Sequence, residues 1–356
     1  MITSCRNPRL LPLLILLLAT AAAAPSLLLR EAADRSGILV GAAVRPYLLS
    51  EAPYTETLSR EFSMVEPEDS LKWWVVRRNQ DFDFREGDEI VRFAQAHGMK
   101  VRGHCLVWDH SNPEWLGQGH FTPAQMSRLL QEHISTVMKH YTGQIFAWDV
   151  VNEALEEDGH PRDSPWYNKP GIGLADKGTA YVEQAFRWAH EADPHALLFY
   201  NEGGGEGLNR KADAIYVMVK DFRLRGVPID GVGLQMHIAD LNLDTAPIAA
   251  NIARLTALGL QVHITELDVS LPVDPASGQI RPEDLQKQAE IYRGVARACL
   301  QNPGCTAIQT WGFTDKYSWI GSHSRGTQGG ALLFDRTYKP KPSYDAMVEE
   351  LARHRK

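Results

Sequence analysis

Short apolar runs alternate with longer amphipathic stretches along most of the chain. The runs lie at residues 38–44, 62–65, 99–107, 145–151, 197–200, 231–236, 262–265 and 307–310. Each is short and apolar enough for a strand buried on both faces of a parallel sheet. Between them, residues 87–97, 123–140, 178–193, 209–225, 245–258 and 282–300 place apolar residues at helical spacing. Eight strands, each followed by a helix or a long loop, predict an α/β fold, a single (β/α)8 TIM barrel of roughly 300 residues. A doubly wound open sheet is the competing architecture, but it calls for a Gly-rich first turn that is missing here. No Gly-, Ser- or Pro-rich linker and no internal repeat breaks the pattern, so residues 25–356 are expected to be one domain.

The first 24 residues stand outside this pattern. Arg6 and Arg9 precede an apolar stretch at 10–18 and a small-residue stretch at 19–24, the layout of a signal peptide. The apolar stretch is short for a membrane span, although an uncleaved anchor is the alternative. The mature protein is therefore expected to be secreted, extracellular or periplasmic, where disulfides are permitted. Cys5 leaves with the leader. Cys299 and Cys305 flank a short QNPG loop and are the expected pair, with Cys105 left as a buried free thiol. No cysteine or histidine spacing suits zinc, and no Gly-rich phosphate loop opens a helix. A net charge of -7 recommends neither nucleic acid nor an anionic membrane as partner. Nine Trp and eleven Tyr permit stacking on flat, hydroxyl-rich ligands without requiring it.

A barrel of this kind carries its chemistry where the strands end at their C-termini. Polar residues gather at those ends. The second strand exits into EPEDSLKWW (66–74), the third carries His104 and exits through Trp108, and the fourth, in IFAWDVVNEA, ends on Asn152 and Glu153. The fifth ends on Asn201 and Glu202, the sixth on Gln235 and His237, the seventh (VHITELD) on Glu266 and the eighth on Trp311. Taken alone, Asn152 and Glu153 could equally cap a following helix. Glu266 changes that, because strands four and seven face each other across the mouth of the barrel. Two carboxyls across a cleft suit glycoside hydrolysis, in which one protonates the departing oxygen and the other attacks or assists at the anomeric carbon. A separation of about 5–5.5 Å gives retention, and about 6.5–9.5 Å admits a water and gives inversion. Asn152 can donate to a sugar 2-hydroxyl, His237 can orient Glu266, and Trp311 and Trp319 can stack on sugar rings. A plain core histidine and plain core tryptophans are the alternatives for these last three.

The stretches WDVVNEA, ITELDV, GLQMHI, RGHCLVW, TWGFTDKYSWI and LLFDRTYKPKPSY together resemble glycoside hydrolase family 10, the endo-β-1,4-xylanases. The resemblance runs from about Gly41 to Tyr344 with the motifs in the family's order. It implies a (β/α)8 barrel, retaining hydrolysis of β-1,4-xylan or xylo-oligosaccharides, and no metal or organic cofactor; the protein is expected to be a monomer. It implies Glu153 as general acid/base and Glu266 as nucleophile, with a bell-shaped pH–rate profile. It also implies that Lys72, His104, Trp108, Asn152, Gln235, His237, Trp311 and Trp319 bind substrate, mostly on the non-reducing side of the cleaved bond, and that Cys299–Cys305 is a family disulfide. Three places depart from the pattern. Glu68–Asp69 stands where Glu-Asn is usual, and Asp109 and Ser111 replace a histidine and a glutamine. Asn201-Glu202-Gly203, followed by Gly204 and Gly205, replaces Asn-Asp-Tyr and removes a stacking tyrosine on the leaving-group side. A related β-glycanase acting on other glucans or on short or decorated xylo-oligosaccharides is the second expectation. A non-catalytic carbohydrate-binding relative is the third, disfavoured because both carboxylates are present.

Overall fold

A computed structural model describes residues 27–354. The expected leader at 1–24, with Cys5, lies outside them. Eight parallel strands form the sheet: β1 (Leu39–Val44), β2 (Met64–Pro67), β3 (Lys100–Gly103), β4 (Ala147–Asn152), β5 (Leu197–Glu202), β6 (Gly231–Leu234), β7 (Gln261–Val269) and β8 (Cys305–Thr310). Each pairs with the next, and β8 pairs with both β7 and β1, so the sheet closes into a barrel. All six residues of β4 are buried, as expected of a strand packed between a barrel interior and surrounding helices. Gly41 lets β1 pass close to its neighbours, because a Cβ there would stand 2.7 Å from Met64 Cε and 3.0 Å from Gln309 Oε1.

The helices begin and face inward for local reasons. Pro123–His140 opens with a capping box in which Thr122 N donates to Gln125 Oε1 at 2.8 Å and Gln125 N donates to Thr122 Oγ1 at 3.4 Å. Arg210–Leu224 is capped by Asn209, whose Oδ1 accepts from Ala212 N at 2.8 Å. It buries Ile215, Met218, Val219 and Phe222, a single stripe at helical spacing. Besides short helical turns, the structure adds three helices of eight residues or more that the apolar spacing did not mark: Leu29–Ser36, Ala52–Glu61 and Pro342–Arg353. The first and last pack together, and Glu61 ties them by accepting from Leu29 N at 3.1 Å and from Tyr344 OH at 2.8 Å. Cys299 and Cys305 are disulfide-bonded, joining the end of helix Pro282–Leu300 to the start of β8. Cys105 is a buried free thiol. Among the described residues, no helix is long and apolar enough to cross a membrane.

Several strand boundaries differ from expectation by a few residues, and two of these differences shape the barrel mouth. The third strand ends at Gly103 instead of continuing to 107. The chain leaves the ladder at His104, then rejoins β4 as Leu106 N donates to Asp149 O at 3.0 Å and Val107 bridges Val151. The seventh strand runs to Val269, so Glu266 lies inside it and not at its tip. The extension pairs with a two-residue strand at His237–Ile238, which has no partner visible in local sequence. The β7–β8 register shifts between Ile308 and Thr310, opposite Ile264 and Leu267. Such a bulge re-aims the side chains it displaces, here those of Thr265 and Glu266.

Candidate active site

Glu153 follows directly on β4, and its backbone is left-handed, with φ of 54°. Met236, between Gln235 and His237, is left-handed as well, with φ of 68°. Left-handed backbone at a non-glycine residue is disfavoured and gathers where surrounding structure imposes a functional geometry. The Glu153 carboxylate is held on both oxygens. Gln235 Nε2 donates to Oε1 at 2.9 Å, Asn152 Nδ2 to the same oxygen at 3.3 Å, and Trp108 Nε1 to Oε2 at 3.1 Å.

Glu266 is held as firmly. Asn201 Nδ2 donates to Oε1 at 2.7 Å, and His237 Nε2 lies 3.1 Å from Oε2. The same Asn201 nitrogen donates to Asn152 Oδ1 at 2.8 Å, so one amide links the neighbour of one carboxylate to the other. Thr265 Oγ1 donates to Asn201 Oδ1 at 2.8 Å and fixes that amide's orientation. His237 Nδ1 meets Asp268 Oδ2 at 3.0 Å, and Trp319 Nε1 donates to the same oxygen at 2.8 Å. Burial disfavours charge on His237, but the Asp268 and Glu266 carboxylates outweigh it and hold the imidazolium well above the ordinary histidine range. Burial would likewise raise the Glu266 pKa. The His237 hydrogen bond and charge, the His104 charge and the Asn201 amide overcome that and leave it below the ordinary carboxylate value.

The remaining expected residues complete the wall. Lys72 Nζ sits 4.9 Å from the Trp108 ring centroid and 5.6 Å from that of Trp311. Trp311 lies 5.3 Å from His104, and Trp319 lies 5.2 Å from His237, both edge-on. All ten expected site residues other than the cysteines thus form one connected cluster at the C-terminal mouth of the barrel.

Beneath them lies a charged layer most of which local patterns did not disclose. Arg102, Glu66, Asp149, His104 and His263 are all buried inside the barrel. Arg102 forms close ion pairs with Asp149 and, at 3.2 Å, with Glu66 Oε2, and its Nη1 lies 2.6 Å from His263 Nδ1. His104 Nδ1 stands 3.1 Å from Asp149 Oδ2. Glu66, His104 and Asp149 gather their oxygen and nitrogen atoms within 4.8 Å, a spacing that could suit a cation, and the Arg102 guanidinium supplies the positive charge there. Burial pushes the Glu66 carboxyl up to about 8 against the opposing pull of His104 and Arg102. The available signal was a charged or imidazole residue inside an otherwise apolar strand, as in KVRG, AWDVVN and QVHITELDV. Asp268, which holds His237, was also overlooked.

The departures from the family pattern find partners nearby. Asp69 pairs with Lys72 at 2.9 Å, and Glu68 pairs with Arg45 at 2.5 Å. Burial raises the Asp109 pKa, opposed by His110 and Arg162. Glu202 is buried, accepts from Tyr200 OH at 2.5 Å and Leu155 N at 3.2 Å, and meets Lys211 Nζ at 3.1 Å. At Gly203 a Cβ would stand 2.4 Å from Gln235 Oε1, so a side chain there would displace the donor to Glu153.

A (β/α)8 barrel whose mouth holds two hydrogen-bonded carboxylates among indole faces has the architecture of a glycoside hydrolase. The chain belongs to glycosyl hydrolase family 10, whose model matches residues 28–350. It is 40% identical over 297 residues to endo-1,4-beta-xylanase B of Thermotoga neapolitana, covering 83% of this chain and 82% of that protein. A beta-1,4-xylanase of Dictyoglomus thermophilum is 37% identical over 319 residues, 87% of each. Among solved structures, xylanase 10B from Thermotoga petrophila RKU-1 in complex with xylobiose superposes with a TM-score of 0.86 at 40% identity, covering 92% of this chain and 97% of that one.

Proposed function

We propose that this protein is a retaining endo-β-1,4-xylanase in which Glu266 is the nucleophile and Glu153 the general acid/base. The observation that carries the reading is the amide bridge through Asn201, which holds Glu266 directly and Glu153 through Asn152. The xylanase relatives and the xylobiose complex of the Thermotoga petrophila enzyme support the substrate class. In the first step the Glu266 carboxylate attacks the anomeric carbon as Glu153 gives its proton to the departing glycosidic oxygen. In the second, Glu153 takes a proton from water, which displaces Glu266 with a second inversion. In this reading Asn152 binds the 2-hydroxyl, and Lys72, His104, Gln235, Trp108, Trp311 and Trp319 bind the sugars on the non-reducing side. The leader pattern at 1–24 supports export of a single catalytic domain.

The anomer formed first tests this reading. Proton NMR during early hydrolysis of xylohexaose should show the β-anomer ahead of mutarotation. An α-anomer as first product would overturn the retaining assignment. The departures at Asp69, Asp109 and Gly203–Gly205 favour one second reading, a related β-glycanase with a different preferred chain. Initial rates on xylan should exceed those on cellulosic and mixed-linkage glucans, and the reverse order would favour that second reading.

The electrostatics around Glu266 predict a pH effect with a definite sign. Its depressed pKa keeps it ionised down through the ordinary carboxylate range, so activity is held there and lost as pH falls through the lowered value. His237→Asn removes the imidazolium that opposes burial. The acid limb of kcat/KM against pH should move to higher pH, and an unmoved limb would show that His237 does not hold Glu266 charged.

A further inference from the structure

A line of side chains leads out of the candidate site along the exits of β2 and β1. From the Trp108 and Trp311 rings it passes to Lys72, from Lys72 to Asp69, and from the adjacent Glu68 to Arg45. Arg45 directly follows β1, and its Nη1 donates to Tyr47 OH at 3.1 Å. Tyr47 is 63% exposed, unusual for a large aromatic in this molecule. A solitary exposed aromatic would need no explanation. This one is fixed at two points. Its phenol is tied to Arg45, and its carbonyl accepts from Ser50 Oγ at 3.0 Å within the short 3-10 turn Pro46–Ser50. A largely exposed flat ring, tethered at its phenol and carried on a hydrogen-bonded turn at the end of a polar track from a sugar cleft, suits stacking on the C–H face of a pyranose.

We propose that Tyr47, held by Arg45, forms an outer sugar-binding site on the glycone side of the cleft, taking a neutral β-1,4-linked xylosyl unit of a longer chain. The inference rests on the xylanase reading above. Neutral sugar is favoured over an acidic substituent because Glu68 already neutralises the Arg45 guanidinium. The site adds binding energy only for substrates long enough to reach it, so it sets chain-length preference and leaves the bond-breaking step to the inner cleft.

The test compares kcat/KM for xylohexaose with kcat/KM for an aryl β-xylobioside, which is too short to reach Tyr47. In Tyr47→Ala the ratio should fall roughly 2- to 10-fold, the range expected for loss of one aromatic stacking contact. Tyr47→Phe, which keeps the ring and loses the phenol, should retain most of the wild-type ratio. An unchanged ratio in Tyr47→Ala, or a Phe variant that behaves like the Ala variant, overturns the proposal, the second because it would put the effect on the phenol hydroxyl and not on the stacking ring. A wild-type protein that cleaves neither substrate would remove the xylanase reading itself, and the outer site with it.

Discussion

Glu266→Gln should lower kcat/KM on xylan and on aryl β-xylobiosides by at least about 10⁴-fold, a loss of roughly 5.5 kcal/mol of transition-state stabilisation. The substitution keeps the size of the side chain and removes the charge that must attack the anomeric carbon. It is a clean probe because both donors to Glu266 come from rigid neighbours. Asn201 is oriented by Thr265, and His237 is pinned by Asp268, itself held by Trp319. An amide at 266 can still accept from one of these donors, so the cleft should stay formed. Calorimetric binding of xylotetraose to the variant, together with a thermal unfolding midpoint near wild type, would separate lost chemistry from lost structure. Turnover above about 1% of wild type would exceed that predicted loss and sink the nucleophile assignment.

Arg102→Leu should cost about 3–5 kcal/mol of stability, the usual penalty for removing one partner of a buried ion pair. Arg102, Glu66 and Asp149 are nearly inaccessible to solvent, so no water replaces the lost guanidinium. Two carboxyls would then share a buried space with only His104 and the neutral dipoles around them. The penalty should depend on pH. Burial already pushes the Glu66 carboxyl up to about 8, with Asp149 and Glu266 adding to it and His104 and Arg102 opposing. A carboxyl whose pKa is raised on folding favours the folded state below its unfolded value, and that contribution is lost as pH rises through the folded value. Without Arg102 the folded value rises further, so Glu66 stays protonated in the variant where it ionises in the parent protein, and the deficit of the variant should widen as pH climbs through about 8, between pH 7 and pH 9. Urea unfolding at both pH values measures this, and a deficit below about 1 kcal/mol, or one independent of pH, would contradict a charge-compensating role.

Much of the architecture was legible because strand and helix identity here is a local property. The eight apolar runs all became barrel strands, and each of the six marked helical stretches carries a helix, because periodicity of burial is written into neighbouring residues. Helices Leu29–Ser36, Ala52–Glu61 and Pro342–Arg353 were harder to see. Each carries only a short buried stripe, such as Leu29–Ala32–Ala33 or Tyr344–Met347–Leu351, and the first and last are positioned by packing against each other and by Glu61.

The sequence alone established the order of strands and helices, the polar strand exits, the two carboxylates of WDVVNEA and ITELDV, and the expected cysteine pair. Those follow from residue type and spacing along the chain. Tertiary structure decided the rest. It brought Arg102 to Glu66, Asp149 and His263, residues on four different strands whose interaction no local window contains. It placed Glu266 inside a bulged β7, set Glu153 in left-handed backbone, and made Asn201 the amide shared between them. Closing the barrel is what does this, because only closure converges side chains from separate strands on one mouth and excludes the water that would otherwise screen them.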